Sequence, residues 1–65
     1  MNEMVKEWFK ELYKEAIEES KSAIANERLW QNGANTDEGI NMHEENIQNL
    51  EEYIAALQER LNALD

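Results

Sequence analysis

The sequence predicts an all-α protein, an antiparallel hairpin of two long helices that dimerises into a four-helix bundle. Three observations carry that expectation. The 65 residues include no proline and only two glycines, and their abundant Glu, Lys, Leu, Ala and Gln are strong helix formers. Apolar residues recur at spacings of three and four on both sides of a short polar stretch around Gly33 to Thr36, which is the period of a helix face. Finally, a chain this short buries only about 60% of the surface its unfolded form exposes. With no cysteine and one histidine, it has no disulfide or metal staple, so oligomerisation is left to supplement the core. The whole chain reads as one domain without internal repeat or linker.

The first helix is expected over about Glu3 to Gln31. Its apolar residues fall mostly in one arc roughly 180° wide at about 100° per residue, which is broader than one partner helix needs. Tyr13, Ile17 and Ile24, with Trp8 and Phe9 near the open end, are the candidate oligomer interface. Lys6, Lys10, Lys14, Lys21 and Arg28 form one column beside that arc. Glu3, Glu7, Glu11 and Glu18 each precede a lysine by three residues, a spacing that suits ion pairs on a solvated face.

The turn is expected over 32–36. Gly33 suits the left-handed position after a helix end, with Ala34 then free to touch Leu29. Thr36 is a good N-cap for the next helix, and Asp37 and Glu38 place negative charge in its first turn, where the helix dipole favours it. Gly39 costs about 1 kcal/mol relative to alanine inside a helix, so a close backbone approach is expected there.

The second helix, about Asp37 to Leu64, carries the clearest signal in the chain. Ile40, His43, Ile47, Leu50, Ile54, Leu57, Leu61 and Leu64 form a heptad seam with one polar interruption. A short link between two amphipathic helices folds them back antiparallel. Reflection about the turn then sets Ile40 opposite Leu29 or Trp30, His43 opposite Asn26 or Glu27, Ile47 opposite Ala23, and Leu61 opposite Trp8 or Phe9. Large residues on one helix meet small ones, Ala16, Ser20 and Ala23, in the middle of the other.

Net charge is −9, with 15 acidic and 6 basic residues, which disfavours direct binding to nucleic acid or to an anionic membrane. No apolar run approaches a signal-peptide core or a membrane span. Together with the absence of cysteine, this leads us to expect a soluble cytoplasmic protein. The nucleophiles Ser20 and Ser22 lie mid-helix and no glycine-rich phosphate loop is present, so the chain is expected not to be an enzyme and to need no cofactor. Metal binding is not expected either. The residue three before His43 is Ile40 where a bundle di-iron site has glutamate, and no second histidine follows His43-Glu44.

His43 is the first candidate site residue, because leucine would pack better at its seam position. Asn26 and Glu27 opposite, with Asn46 one turn on, predict a polar layer that fixes register or contacts a ligand. A second set near the turn comprises Arg28, Trp30, Gln31, Asn32 and Asn35, since Trp and Arg are enriched where proteins grip partners. Trp30 has the plainer alternative of plugging the end of the core.

The run from Asn26-Glu27-Arg28-Leu29-Trp30 through Gln31-Asn32-Gly33-Ala34-Asn35-Thr36-Asp37-Glu38, followed by His43-Glu44-Glu45-Asn46, resembles short helical-hairpin proteins of bacteria and their phages. Some small helical phage proteins act against host immunity, either by binding a defence protein or by sequestering a cyclic nucleotide. The resemblance therefore implies an acidic, homo-oligomeric inhibitor that binds a host protein. Its alternative is a non-enzymatic binder that holds a nucleotide at the turn end of the bundle, with Trp30 against the base and Arg28 and Lys21 against phosphate.

Overall fold

In the computed structural model, which describes residues 2–65, two helices pack side by side: α1, Glu3–Gly33, and α2, Asp37–Ala63. The connection is only Ala34, Asn35 and Thr36, too short for anything but an antiparallel return. The molecule is a rod of 51 × 14 × 10 Å in Cα extents, with a radius of gyration of 15.3 Å. A compact domain of this length would have about 11 Å. A rod has much surface for its volume, and the core is correspondingly thin.

Each helix begins on a side-chain cap. Asn2 accepts from the Val5 backbone N–H at 2.9 Å, and Thr36 accepts from that of Gly39 at 3.1 Å. The Thr36 cap fulfils the sequence expectation. The end of α1 does not. No glycine has a positive φ, α1 runs on through Gly33, and the helix is closed by extended Ala34, whose N–H donates to the Gln31 carbonyl at 3.2 Å. Because the chain leaves α1 in an extended conformation, Leu29 is not folded back upon by Ala34, and it is 70% exposed.

The core runs along the α2 seam as expected. Ile47 is 1% exposed and Leu57 6%, while His43, Leu50, Ile54, Leu61 and Leu64 are half-buried. The exception is Ile40, which is 39% exposed. At that level Gln31 takes the place expected of an apolar neighbour: its side-chain amide donates to the Ile40 carbonyl at 3.2 Å and to Glu44 Oε2 at 3.0 Å. Trp30, 70% exposed, does not plug the core.

Helix α1 is turned about its axis relative to expectation. Its inward residues are Tyr13, Ile17, Ser20, Ile24, Glu27 and Gln31, a three-four alternation that matches the α2 seam. Ile17, expected on an outer surface, is 6% exposed and belongs to the core; Phe9, Tyr13 and Ile24 are half-buried. Small residues do line the middle: Ser20 is buried, and its hydroxyl donates to the Ala16 carbonyl at 2.8 Å, so no bare polar group results. The rotation brings the branched Ile17 inside and leaves Trp8 (60%) and Leu12 (41%) in solvent.

Candidate functional site

The two flanks of the hairpin differ in chemistry. Along one run the contacts between opposite charges: Lys10 Nζ lies 2.5 Å from Asp65 Oδ1, and Arg28 Nη2 lies 3.6 Å from Glu51 Oε1. Positions 10 and 28 are five helical turns apart, so their side chains share one stripe of α1. Within α1 three of the four expected three-residue pairs form, Lys10 with Glu7, Lys14 with Glu11, and Lys21 with Glu18, at 3.7, 3.8 and 3.7 Å, and the pair of Glu3 with Lys6 does not. The Lys10 amine is held above its ordinary value by its hydrogen bond to Asp65, and the Asp65 carboxyl is held below its own by Lys10.

The other flank carries an open groove of about 420 Å³ between the helices, lined by Ala23 and Glu27 of α1 and by Asn46, Asn49, Leu50 and Tyr53 of α2. Offsets of seven and eleven residues bring a helical side chain back to within about 20° of its starting direction. Leu12, Ala16 and Trp30 therefore share the stripe of Ala23, Val5 lies five whole turns from it, and Met42 shares the stripe of Tyr53. Val5, Trp8, Leu12, Trp30, Met42 and Tyr53 are 36%, 60%, 41%, 70%, 53% and 51% exposed. Most of the exposed large apolar side chains thus lie on or beside the groove flank.

Between the flanks sits the polar layer anticipated around His43. His43 Nδ1 is 2.6 Å from Glu27 Oε2, and Asn46 Nδ2 donates to the same oxygen at 3.4 Å. An ionised carboxylate can only accept, so Nδ1 carries the proton in this bond. The side chains of His43 and Glu27 are 17% and 25% exposed. The hydrogen bond from His43, with a smaller one from Asn46, holds the Glu27 carboxyl below its ordinary range. Asn26, the alternative partner for His43, faces solvent.

The structure does not bring the turn-proximal candidates together. Arg28 and Trp30 are two residues apart on one helix, so their side chains leave it about 160° apart. Arg28 goes to Glu51 on the charged flank, whereas Trp30 projects from the groove flank. Asn32 and Asn35 are exposed, and Gln31 is occupied in bridging to α2. Among the described residues no group of three or more His, Cys, Asp or Glu is arranged to hold a metal ion, and no helix is long and apolar enough to cross a membrane. Tyr53 and Asn49, which line the groove, are not singled out by the sequence, whereas Asn46 is, as part of the polar layer. The signal available was that Tyr53 is a large aromatic just off the heptad seam.

No protein-family model matches the chain, and no curated protein or solved structure matches it.

Proposed function

We propose that this hairpin is a non-enzymatic protein-interaction module that pairs with a second hairpin into a four-helix bundle and presents its acidic surface to a protein partner. The observation that supports this most is the exposure of large apolar side chains, from 36% at Val5 to 81% at Met4. Six of them, Val5, Trp8, Leu12, Trp30, Met42 and Tyr53, lie on or beside one flank of a rod with a thin core, with the exposed Glu19 between Leu12 and Trp30. A monomer gains nothing from apolar surface gathered on one flank, and such gathering is the mark of an interaction site. The partner, in line with the resemblance to small phage inhibitors, is a host protein. With a net charge of −9, the assembled module attracts a basic surface and repels nucleic acid.

Sedimentation equilibrium of the unmutated chain at micromolar concentration tests the oligomeric part of this reading. A mass twice the 7.7 kDa of one chain supports it, and a folded monomer refutes it. Capture of one bacterial protein by the immobilised module, abolished when Glu51, Glu52 and Glu59 are changed to lysine, tests the acidic partner surface. Capture insensitive to those charges refutes it.

A further inference from the structure

The groove flank can be assigned an occupant and an orientation. The accessible surface of the hairpin is 5034 Å², whereas a compact monomer of 7.7 kDa would expose about 4,300 Å². The excess over the whole rod, about 700 Å², comes from its elongated shape, and a standard protein interface covers roughly 800 Å² of each partner. A second copy of the same rod matches the 51 Å length of this flank end to end. The cross-helix ion pairs point to the same face. Each chain carries −9, and copies meeting through the groove flank leave the Lys10–Asp65 and Arg28–Glu51 contacts on their outer sides. A copy approaching through the charged flank would have to desolvate them.

The distribution of bulk along the flank sets the direction. Apolar volume protrudes on both sides of the hollow, at Trp8 and Leu12 toward the open end and at Trp30 and Met42 toward the turn, while the hollow itself lies beside Ala23, Leu50 and Tyr53. Leu12 and Ala23 are 11 residues apart, about 17 Å along α1 at 1.5 Å per residue. A two-fold axis perpendicular to the rod, crossing α1 near Ile17, maps one onto the other. In a two-fold interface each contact occurs twice, so the Trp8 and Leu12 protrusion of each copy finds a hollow. An axis along the rod would instead set protrusion against protrusion and leave both hollows empty.

We propose that the groove flank docks a second copy of this chain antiparallel to the first, so that Leu12 and Trp8 of each hairpin enter the hollow between Ala23 and Tyr53 of the other. This rests on the dimer reading given under the proposed function and adds the face and direction to it.

The chain has no cysteine, so single cysteines report geometry without interference. Leu12→Cys and Ala23→Cys chains are prepared separately, mixed in equal amounts and oxidised, and the disulfide-linked species are separated by mass. The expected result is a predominance of the mixed species, which joins one Leu12→Cys chain to one Ala23→Cys chain; predominance of the two symmetric species overturns the antiparallel direction. Two charge substitutions test the face. Tyr53→Glu is expected to weaken dimerisation at least tenfold in sedimentation, and Lys14→Glu, on the charged flank, is expected to leave it within twofold. The reverse order assigns the interface to the other flank and overturns the proposal. Should Tyr53→Glu also lose its helical circular dichroism, the cysteine result, obtained on milder variants, decides. An unmutated chain that sediments as a monomer refutes the dimer reading itself, whereas a dimer indifferent to Tyr53→Glu refutes only the face.

Discussion

Glu27 and His43, 16 residues apart in sequence, meet across the hairpin at 2.6 Å, and this contact sets the register of the two helices. Moving α2 by one residue would take His43 off the carboxylate and leave a half-buried charge with Asn46 as its only partner. Burial and hydrogen bonding oppose each other at this carboxyl, and the bond from His43 outweighs desolvation, so its pKa falls below the ordinary 4.5.

The depressed pKa has a definite consequence for acid stability. A carboxyl whose folded pKa lies below its unfolded one contributes stability that is present above the unfolded value and is lost as pH falls through the folded one. The contribution of Glu27 is therefore expected to be full above about pH 4.5 and to vanish at lower pH. Thermal melts from about pH 6 to about pH 3 are expected to show the unmutated chain losing more melting temperature than Glu27→Gln. Parallel curves for the two chains would mean that the contact contributes nothing.

Ile47 and Ile40 stand one heptad apart on the same seam, yet they are 1% and 39% exposed. Equal chemistry at unequal burial makes a direct comparison. Ile47→Ala removes a fully enclosed side chain and is expected to cost about 2–5 kcal/mol, which is enough to unfold a marginal hairpin. Ile40→Ala is expected to cost less than about 1 kcal/mol, as for a partly solvated site. Urea denaturation of both variants checks this, and equal costs would show that the turn end is as tightly packed as the middle.

Helix content, the antiparallel return, the α2 seam and the polar layer were legible in the sequence because each rests on local spacing plus one reflection about the turn. The rotation of α1 was not. Its apolar arc is wide enough that either Leu12 and Ala23 or Ile17 and Ile24 could face α2, and propensity does not separate those two settings. What separates them is cross-chain chemistry: the setting that buries Ile17 also delivers Glu27 to His43 and Gln31 to the Ile40 carbonyl. The groove was hidden for the same reason, since it lies between Ala23 and Tyr53, whose alignment follows only once both helices are fixed.

Lys10 and Asp65 join the first helix to the end of the second at 2.5 Å. The lowered Asp65 carboxyl contributes above its ordinary 3.8 and loses that contribution as pH falls through the depressed value. The raised Lys10 amine contributes below its ordinary 10.5 and loses it as pH rises through the elevated value. Asp65→Asn is expected to speed amide exchange of the last turn, Leu61 to Leu64, at neutral pH and low salt. About 1 M salt shrinks the Debye length to about 3 Å and should erase much of the difference, because the Asp65 side chain is 69% exposed. Exchange unaffected by the substitution at low salt would show that the contact does not hold the end of α2.

The two glycines separate helix propensity from crowding. Gly33 is the last residue of α1 and Gly39 lies in the first turn of α2, and neither has a positive φ, so alanine fits the backbone at each. A Cβ on Gly33 would meet nothing within 4 Å, whereas one on Gly39 would lie 3.2 Å from Thr36 Oγ1 and 3.4 Å from Ala34 Cβ. Gly33→Ala is therefore expected to stabilise in chemical denaturation, by less than the about 0.5–1 kcal/mol of an interior helix position because Gly33 ends α1. Gly39→Ala presses on the hydroxyl that caps α2 through the 3.1 Å bond to the Gly39 N–H, and loss of such a cap costs about 1 kcal/mol. The two effects are expected to cancel to within about 0.5 kcal/mol. Thr36→Ala removes both the cap and the obstruction, so in that background Gly39→Ala should recover a clear stabilisation. A gain at Gly39 equal to that at Gly33 in the unmutated chain would mean that the cap yields freely and that the close approach has no energetic consequence.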